Sequence, residues 1–379
     1  RQLTERCRQE RMRCQPLPAA PSVAFRKETN LVRHKDRVFD LGWSPSASRP
    51  LRLASAGQTC GYVWSINGSS AAEPVKLASP ELMRVCWHPD GARVLTGNAD
   101  GVVGMWNASD GAPLAKMQAS AEDEVYGLEV LAGSEGLLAV GAGNTVQLWD
   151  LDRTTRIKHV TIAAAEGGVI FGGPNRNPEG KAYLLGCAAR GRAFCGAFSD
   201  GTVRLLDSQS LKEFGVLDQH ARHGAPAFCV ALSPTSPQLA SADAQGNVLL
   251  WDLRQFGKAP LAKINHGGGA VQALEFASGI GASGELLLTG GADRMLRALE
   301  TGTALATVGS MKLLSMTLCA KVTPAEAATP IIATGGGSDA LISDASISLW
   351  RLEPPNSNTG PMACLPCVEP GDAGPLGVE

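Results

Sequence analysis

Seven times along 379 residues a short apolar segment ends on a Trp or Leu followed by a polar or charged residue. The segments are Tyr62-Val63-Trp64-Ser65, Gly104-Met105-Trp106-Asn107, Gln147-Leu148-Trp149-Asp150, Arg204-Leu205-Leu206-Asp207, Leu249-Leu250-Trp251-Asp252, Arg297-Ala298-Leu299-Glu300 and Ser348-Leu349-Trp350-Arg351. The Trp or Leu stands at 64, 106, 149, 206, 251, 299 and 350, so the gaps are 42, 43, 57, 45, 48 and 51. Self-similarity at this period means one supersecondary unit repeated and stacked. Most units carry a small-residue run upstream, as in Leu53-Ala-Ser-Ala, Leu95-Thr-Gly-Asn, Ala139-Val-Gly-Ala, Leu239-Ala-Ser-Ala, Leu288-Thr-Gly-Gly and Ala333-Thr-Gly-Gly. Several open with an alternating strand that runs into a turn: Val38 to Pro45, Leu82 to Pro89, Ala227 to Pro234. With 44 glycines and no collagen period, many short strands and tight turns are expected.

These motifs resemble the WD-repeat β-propeller family, over about residues 30–352. The resemblance implies an all-β, seven-bladed propeller of four-stranded antiparallel blades. A lone blade cannot bury both faces, whereas seven packed radially leave only short protected edges. Period-2 patterning puts Leu41 and Trp43 on one face, toward a neighbouring blade. The small-residue strand is expected to allow close approach near the axis. The family also implies closure by a segment before His34, about Lys27–Arg33, which adds the outer strand of the last blade. Three regions result: a basic extension (1–26), the propeller (27–352) and a Pro/Gly-rich tail (353–379). The structural blade residues carried over are Trp64, Trp106, Trp149, Trp251 and Trp350, with turn aspartates Asp100, Asp200, Asp293 and Asp344. Gln58 and Gln245 take the Asp position in units one and five. A loop histidine joins that Asp in the family, and His34, His220 and His266 fit.

Charge is uneven. Residues 1–37 hold ten Lys/Arg against four acids, a net +6 on a chain whose total is −2, leaving −8 for the body. A basic tail on an acidic body reads as a docking segment for something negative or as a solvated terminus. Arg1–Met12 could form a short helix, marginal alone in water. Gly167–Lys181 and Ser338–Ser343 read as inserted loops.

The chemistry of a catalyst is missing from the pattern. Cys364-Leu-Pro-Cys367 has ligand spacing, but no second CxxC or HxxxH follows. Gly267-Gly-Gly and Gly335-Gly-Gly lack the phosphate-loop lysine and read as turns. No Gly-x-Ser-x-Gly elbow has plausible partners. His88, before Pro89, reads as a turn residue. Ten scattered cysteines suit free thiols in a reducing compartment. The chain reads as non-catalytic, with no cofactor, metal or small-molecule substrate. No apolar run reaches eighteen residues, so no membrane-spanning helix is expected. Cytoplasm or nucleus is the expected location, and a start at Arg1 rather than Met leaves room for processing of an organellar protein.

The expected role is a protein–protein interaction scaffold within a larger multiprotein assembly. In the family, the residue after the first apolar position of each inner strand faces the channel mouth. That gives Phe39, Met83, Tyr126, Phe228 and Gln272, then Leu314, with Arg37 and Glu124 beside them. They read either as a partner-binding rim or as a channel plug. Two alternatives stand. One is a subunit of an RNA-processing or mRNA-export complex whose residues 1–20 contact RNA. The other is a cullin-ligase substrate receptor, from the similarity of Trp251-Asp252-Leu253-Arg254 to the Trp-Asp-x-Arg box.

Overall fold

In a computed structural model, the described residues are 23–45, 50–67, 70–131, 136–164, 180–255, 257–281, 283–301, 304–324, 330–337 and 346–353. They build seven antiparallel sheets. The inner strands are Val38–Trp43, Leu82–Trp87, Val125–Val130, Leu184–Arg190, Ala227–Leu232, Val271–Ser278 and Met316–Val322. Each touches the next, and the seventh returns to the first, so the ring is closed. The second and third strands of each blade hold the small-residue run and the Trp/Leu segment, as in Gln238–Asp243 and Asn247–Asp252 of blade five. The outer strand of blade one is split into Ser70–Ala71 and Val75–Leu77.

Closure comes from Ala24–Leu31, which pairs antiparallel with Ile347–Glu353 in blade seven. This strand begins three residues before the expected Lys27, because Val23 and Phe25 supply apolar contacts to blades six and seven. Lys27 stands opposite Trp350 and Leu31 opposite Ile347.

The core is a set of inter-blade layers. Leu95, Val103 and Met105 of blade two pack with Val125, Leu138 and Trp149 of blade three. Leu41, Leu53 and Trp64 of blade one pack with Cys319, Ala333 and Leu349 of blade seven. Each fully buried Leu contributes about 1.5–3 kcal/mol relative to exposure. Leu41 and Trp43 face blade seven, and the Trp43 indole N–H donates to the Lys321 carbonyl at 3.1 Å. Trp87 does the same across blades two and one, to Gly42 O at 2.8 Å.

Two expectations about small residues need correction. The small-residue strands do not serve the axis; they leave room for the first inner-strand residue of the next blade. A Cβ on Gly335 would lie 2.8 Å from Val38 Cγ1, and Gly97, Gly141 and Gly290 are crowded in the same way by Val125, Leu184 and Thr317. Gly335–Gly337 is therefore part of the strand Ile332–Gly337, not a turn. Gly267 and Gly269, by contrast, do turn, with φ of +67° and +95°. The expected Arg1–Met12 helix, most of the Gly167–Lys181 loop, the Ser338–Ser343 insert, Asp344 and Cys364–Cys367 lie outside the described residues.

Candidate functional site

Every inner strand breaks register at the same place. The shifts fall between Val38 and Asp40, Leu82 and Arg84, Val125 and Gly127, Leu184 and Gly186, Ala227 and Cys229, Val271 and Ala273, and Thr317 and Cys319. The residue skipped is Phe39, Met83, Tyr126, Leu185, Phe228, Gln272 and Leu318. A bulge leaves one residue unpaired and re-aims its side chain. Five of these are the mouth residues expected from sequence. Leu185 was missed and Leu314 was misassigned. Blade seven's inner strand begins only at Met316, so its equivalent is Leu318, and Leu314 lies in the preceding loop, 68 % exposed.

The bulges stand at one end of a central channel of about 350 Å³, lined by Phe39, Phe228, Gln272 and Leu318 among others. Met83 and Tyr126 occupy the equivalent positions without lining it. Arg84 lies 5.8 Å from the Tyr126 ring centroid and donates to the Tyr126 and Leu185 carbonyls at 2.7 and 2.8 Å. The Tyr126 hydroxyl bonds the Glu124 carboxylate; burial, then that bond, raise its pKa. Arg37 packs its side chain against Gly337 of blade seven. Gln272 Oε1 is buried and has no hydrogen-bond partner among the described residues.

Below the bulges the channel wall is charged, which the sequence reading did not find. Asp40, Arg84, Glu129, Glu275 and Lys321 come from five blades. Lys321 Nζ meets Glu275 Oε2 at 3.2 Å, and Asp40 accepts from the Leu41 and Val85 amides at 2.9 and 3.0 Å. Burial pushes Glu129 up to about 7; Asp40 and Glu275 add to the rise while Lys321 and Arg84 oppose it. The Glu275 carboxylate raises the Lys321 pKa above its ordinary value, against burial. Cys86, Cys187, Cys229 and Cys319 also line the channel, and burial raises all four thiols, which keeps them protonated and poorly nucleophilic. Among the described residues no group of three or more His, Cys, Asp or Glu could hold a metal.

The blade residues form a second, purely internal system. In blade five, Trp251 Nε1 donates to Ser241 Oγ at 2.9 Å, Ser241 meets His220 Nε2 at 2.8 Å, and His220 Nδ1 donates to Asp243 Oδ2 at 2.8 Å. The acceptor for His220 is thus Asp243, two residues before Gln245. The carboxylate also accepts from the Asn247 side chain and the Gln245 and Asn247 amides, so it sets the hairpin turn as well. Blade one keeps Trp64–Ser55–His34, at 3.0 and 2.7 Å. Blade six keeps His266 on Thr289 at 3.0 Å. Blades two and seven keep only Trp106 on Thr96 and Trp350 on Thr334, at 2.8 and 2.9 Å. In blade three Trp149 turns to Gln147 at 3.0 Å. The blades where Leu replaces Trp, four and six, use ion pairs instead: Asp200 with Arg204 at 3.1 Å and Asp293 with Arg297 at 2.6 Å. Asp100 supplies only its carbonyl, to Gln118, while Asn98 caps that turn through the Val102 amide at 2.8 Å. The Ser or Thr in five of the six small-residue runs was the visible signal, read only for its size.

Trp251 is buried, and Arg254 folds back on Asp252, with contacts of 2.9 and 2.7 Å. Strand direction puts this loop on the face opposite the bulges. His88 sits in its turn and accepts from the Asp90 amide at 3.2 Å.

Seven sheets around a charged channel with repeated Trp–Ser/Thr anchors define a WD-repeat propeller. The family description "WD domain, G-beta repeat" matches residues 78–107 and 212–252. The repeat matches, the curated relatives and the fold support a WD-repeat β-propeller. The chain is 27 % identical to THO complex subunit 6 of Arabidopsis thaliana over 123 residues, 31 % of this chain and 33 % of that protein. It is 25 % identical to THO complex subunit 3 of the same plant over 226 residues, 58 % of this chain and 64 % of that protein. The guanine nucleotide-binding protein subunit beta of Oryza sativa subsp. japonica is 23 % identical over 233 residues, 59 % of this chain and 57 % of that protein. The chain thus spans a third to just under two thirds of these curated relatives. A structure of U3-55K superposes with a TM-score of 0.67 at 17 % identity, covering 86 % of this chain and 98 % of the other, a likeness of fold. No helix among the described residues is long and apolar enough to cross a membrane.

Proposed function

We propose that the chain is a non-catalytic scaffold subunit of a multiprotein assembly, and that a protein partner docks over the channel mouth. One observation carries this reading: all seven inner strands bulge at the same end, and five of the seven residues at those bulges are Phe, Met or Leu. A rigid ring of apolar side chains at the rim of a pocket is where binding energy concentrates. Arg37 and Glu124 flank it with opposite charges and set the orientation. Two relatives named as subunits of a THO complex support membership of an assembly. They also favour the second reading, a subunit of an RNA-processing or mRNA-export complex whose residues 1–20 reach RNA. In the cullin-receptor reading, Arg254 first has to leave Asp252.

The test is a double substitution, Phe39→Ala with Phe228→Ala, in the full chain. Both side chains are half-buried at the mouth rather than in an inter-blade layer. The expected result is loss of the co-purifying assembly with an unchanged melting curve. Retention of the assembly overturns the mouth as the docking site.

A further inference from the structure

A second opening lies on the same face as the mouth, away from the channel. The chain crosses from the outer strand of blade six, Ala306–Lys312, to the inner strand of blade seven, Met316–Val322. Beneath this crossing is a pocket of about 160 Å³, whose wall includes Lys27, Lys312, Ser315, Thr317, Thr334 and Trp350. Among the described residues no acidic side chain lines it. That is a local exception on a body that carries a net negative charge.

Three groups are left over once the blade's own bonding is satisfied. Thr334 is committed, because its hydroxyl accepts from the Trp350 indole at 2.9 Å. Thr317 is not: it is only 1 % exposed, yet its hydroxyl has no hydrogen-bond partner among the described residues. A native structure rarely leaves such a group idle, and one at a pocket wall asks for a ligand atom. Lys27 and Lys312 have no carboxylate partner among the described residues. The Lys27 ammonium is held 5.3 Å from the Trp350 ring centroid, which fixes it at the wall.

We propose that this pocket binds a phosphomonoester, presented as a phosphoserine or phosphothreonine of a protein partner. Such a group carries about −1.5 to −2 charges at neutral pH and three strong acceptor oxygens. Two ammonium groups and one buried hydroxyl donor match that charge and that number of oxygens. A carboxylate offers one charge, and a backbone phosphodiester offers one charge with chain on both sides of a small cavity. Leu314, exposed at the crossing, gives the flanking residue of a peptide an apolar surface. The site stands independently of the channel mouth.

The test titrates the full chain with N-acetyl-O-phosphoserine amide by calorimetry, beside inorganic phosphate, the unphosphorylated amide, and a short 5′-hydroxyl RNA at equal ionic strength. The expected result is binding of the phosphorylated amide and none of the unphosphorylated one. Lys27→Gln and Lys312→Gln each weaken it about tenfold, as loss of a charge-assisted hydrogen bond does. Thr317→Val, nearly the same shape, weakens it about threefold. Both lysines are exposed, so those variants keep the fold even if Thr317→Val does not. No binding, or binding by both lysine variants as tight as by the unsubstituted chain, overturns the site. Inorganic phosphate binding tenfold tighter than the amide overturns the protein partner, and tighter RNA binding lost in the same variants overturns the monoester.

Discussion

His220 Nδ1 and Asp243 Oδ2 lie 2.8 Å apart, both side chains wholly shielded from solvent. The carboxylate can only accept while ionised, so Nδ1 carries the proton of that bond, and Nε2 lies 2.8 Å from Ser241 Oγ. Burial pushes the Asp243 pKa up, but hydrogen bonds from His220 and Asn247 outweigh it and hold it below the usual carboxylate value. Asp243→Ala strands His220 and two backbone amides. We expect a loss of about 2–4 kcal/mol in urea unfolding. Gln245→Ala, at the exposed position the repeat pattern marks, should change stability by less than about 0.5 kcal/mol. Equal effects would mean the pair is incidental.

Deleting residues through Leu31 removes the outer strand of blade seven. It uncovers Trp350, Leu349 and Ile347 and takes away Leu31, itself 2 % exposed. The expected cost is on the order of 5 kcal/mol across the whole ring, because the two ends no longer share a sheet. Calorimetry should show one transition at lower temperature. A transition unchanged from the full chain contradicts the closure.

Glu129 keeps its proton in the folded channel up to about pH 7, while its unfolded counterpart ionises near 4.5. The unfolded state therefore binds fewer protons between those values, and this group's contribution to stability falls as pH rises through the window. Glu129→Gln removes that loss. It should add about 1–3 kcal/mol at pH 8 and almost nothing at pH 4.5. A gain that does not vary with pH points to packing instead.

His34 and His266 work in the opposite direction. Burial lowers both to about 4; beside His266, Arg297 lowers it further and Asp293 opposes. Unfolded histidines take up protons below about 6.5, so stability falls as pH drops from there toward 4. His34→Gln, which can still bond Ser55, should flatten that part of the profile. A full-strength slope in the variant assigns it elsewhere.

The repeat made the ring legible, because each blade carries its own strand pattern and spacing. The mouth was legible in part: Phe39, Met83, Tyr126, Phe228 and Gln272 follow the first apolar residue of their strands. Leu185 escaped because the long insert of blade four obscures where its inner strand begins, and Leu318 because the inner strand of blade seven begins only at Met316. Channel charge was not legible at all. Asp40, Arg84, Glu129, Glu275 and Lys321 are far apart in the chain and meet only when the ring closes. The Asp243 assignment failed for a local reason. Two aspartate-bearing positions lie two residues apart in the turn, and only the hairpin's actual hydrogen bonds decide which one reaches His220.

The bond between Arg26 and Glu353 joins residues 327 apart in the chain. At about 5–20 residues per second, a ribosome makes Ala24–Leu31 some 15–65 seconds before the strand it must pair with. Throughout that interval the nascent protein carries a strand with no mate and six blades with an open end. The wheel therefore cannot shut until its last strand has left the ribosome, and its final assembly step follows translation rather than accompanying it.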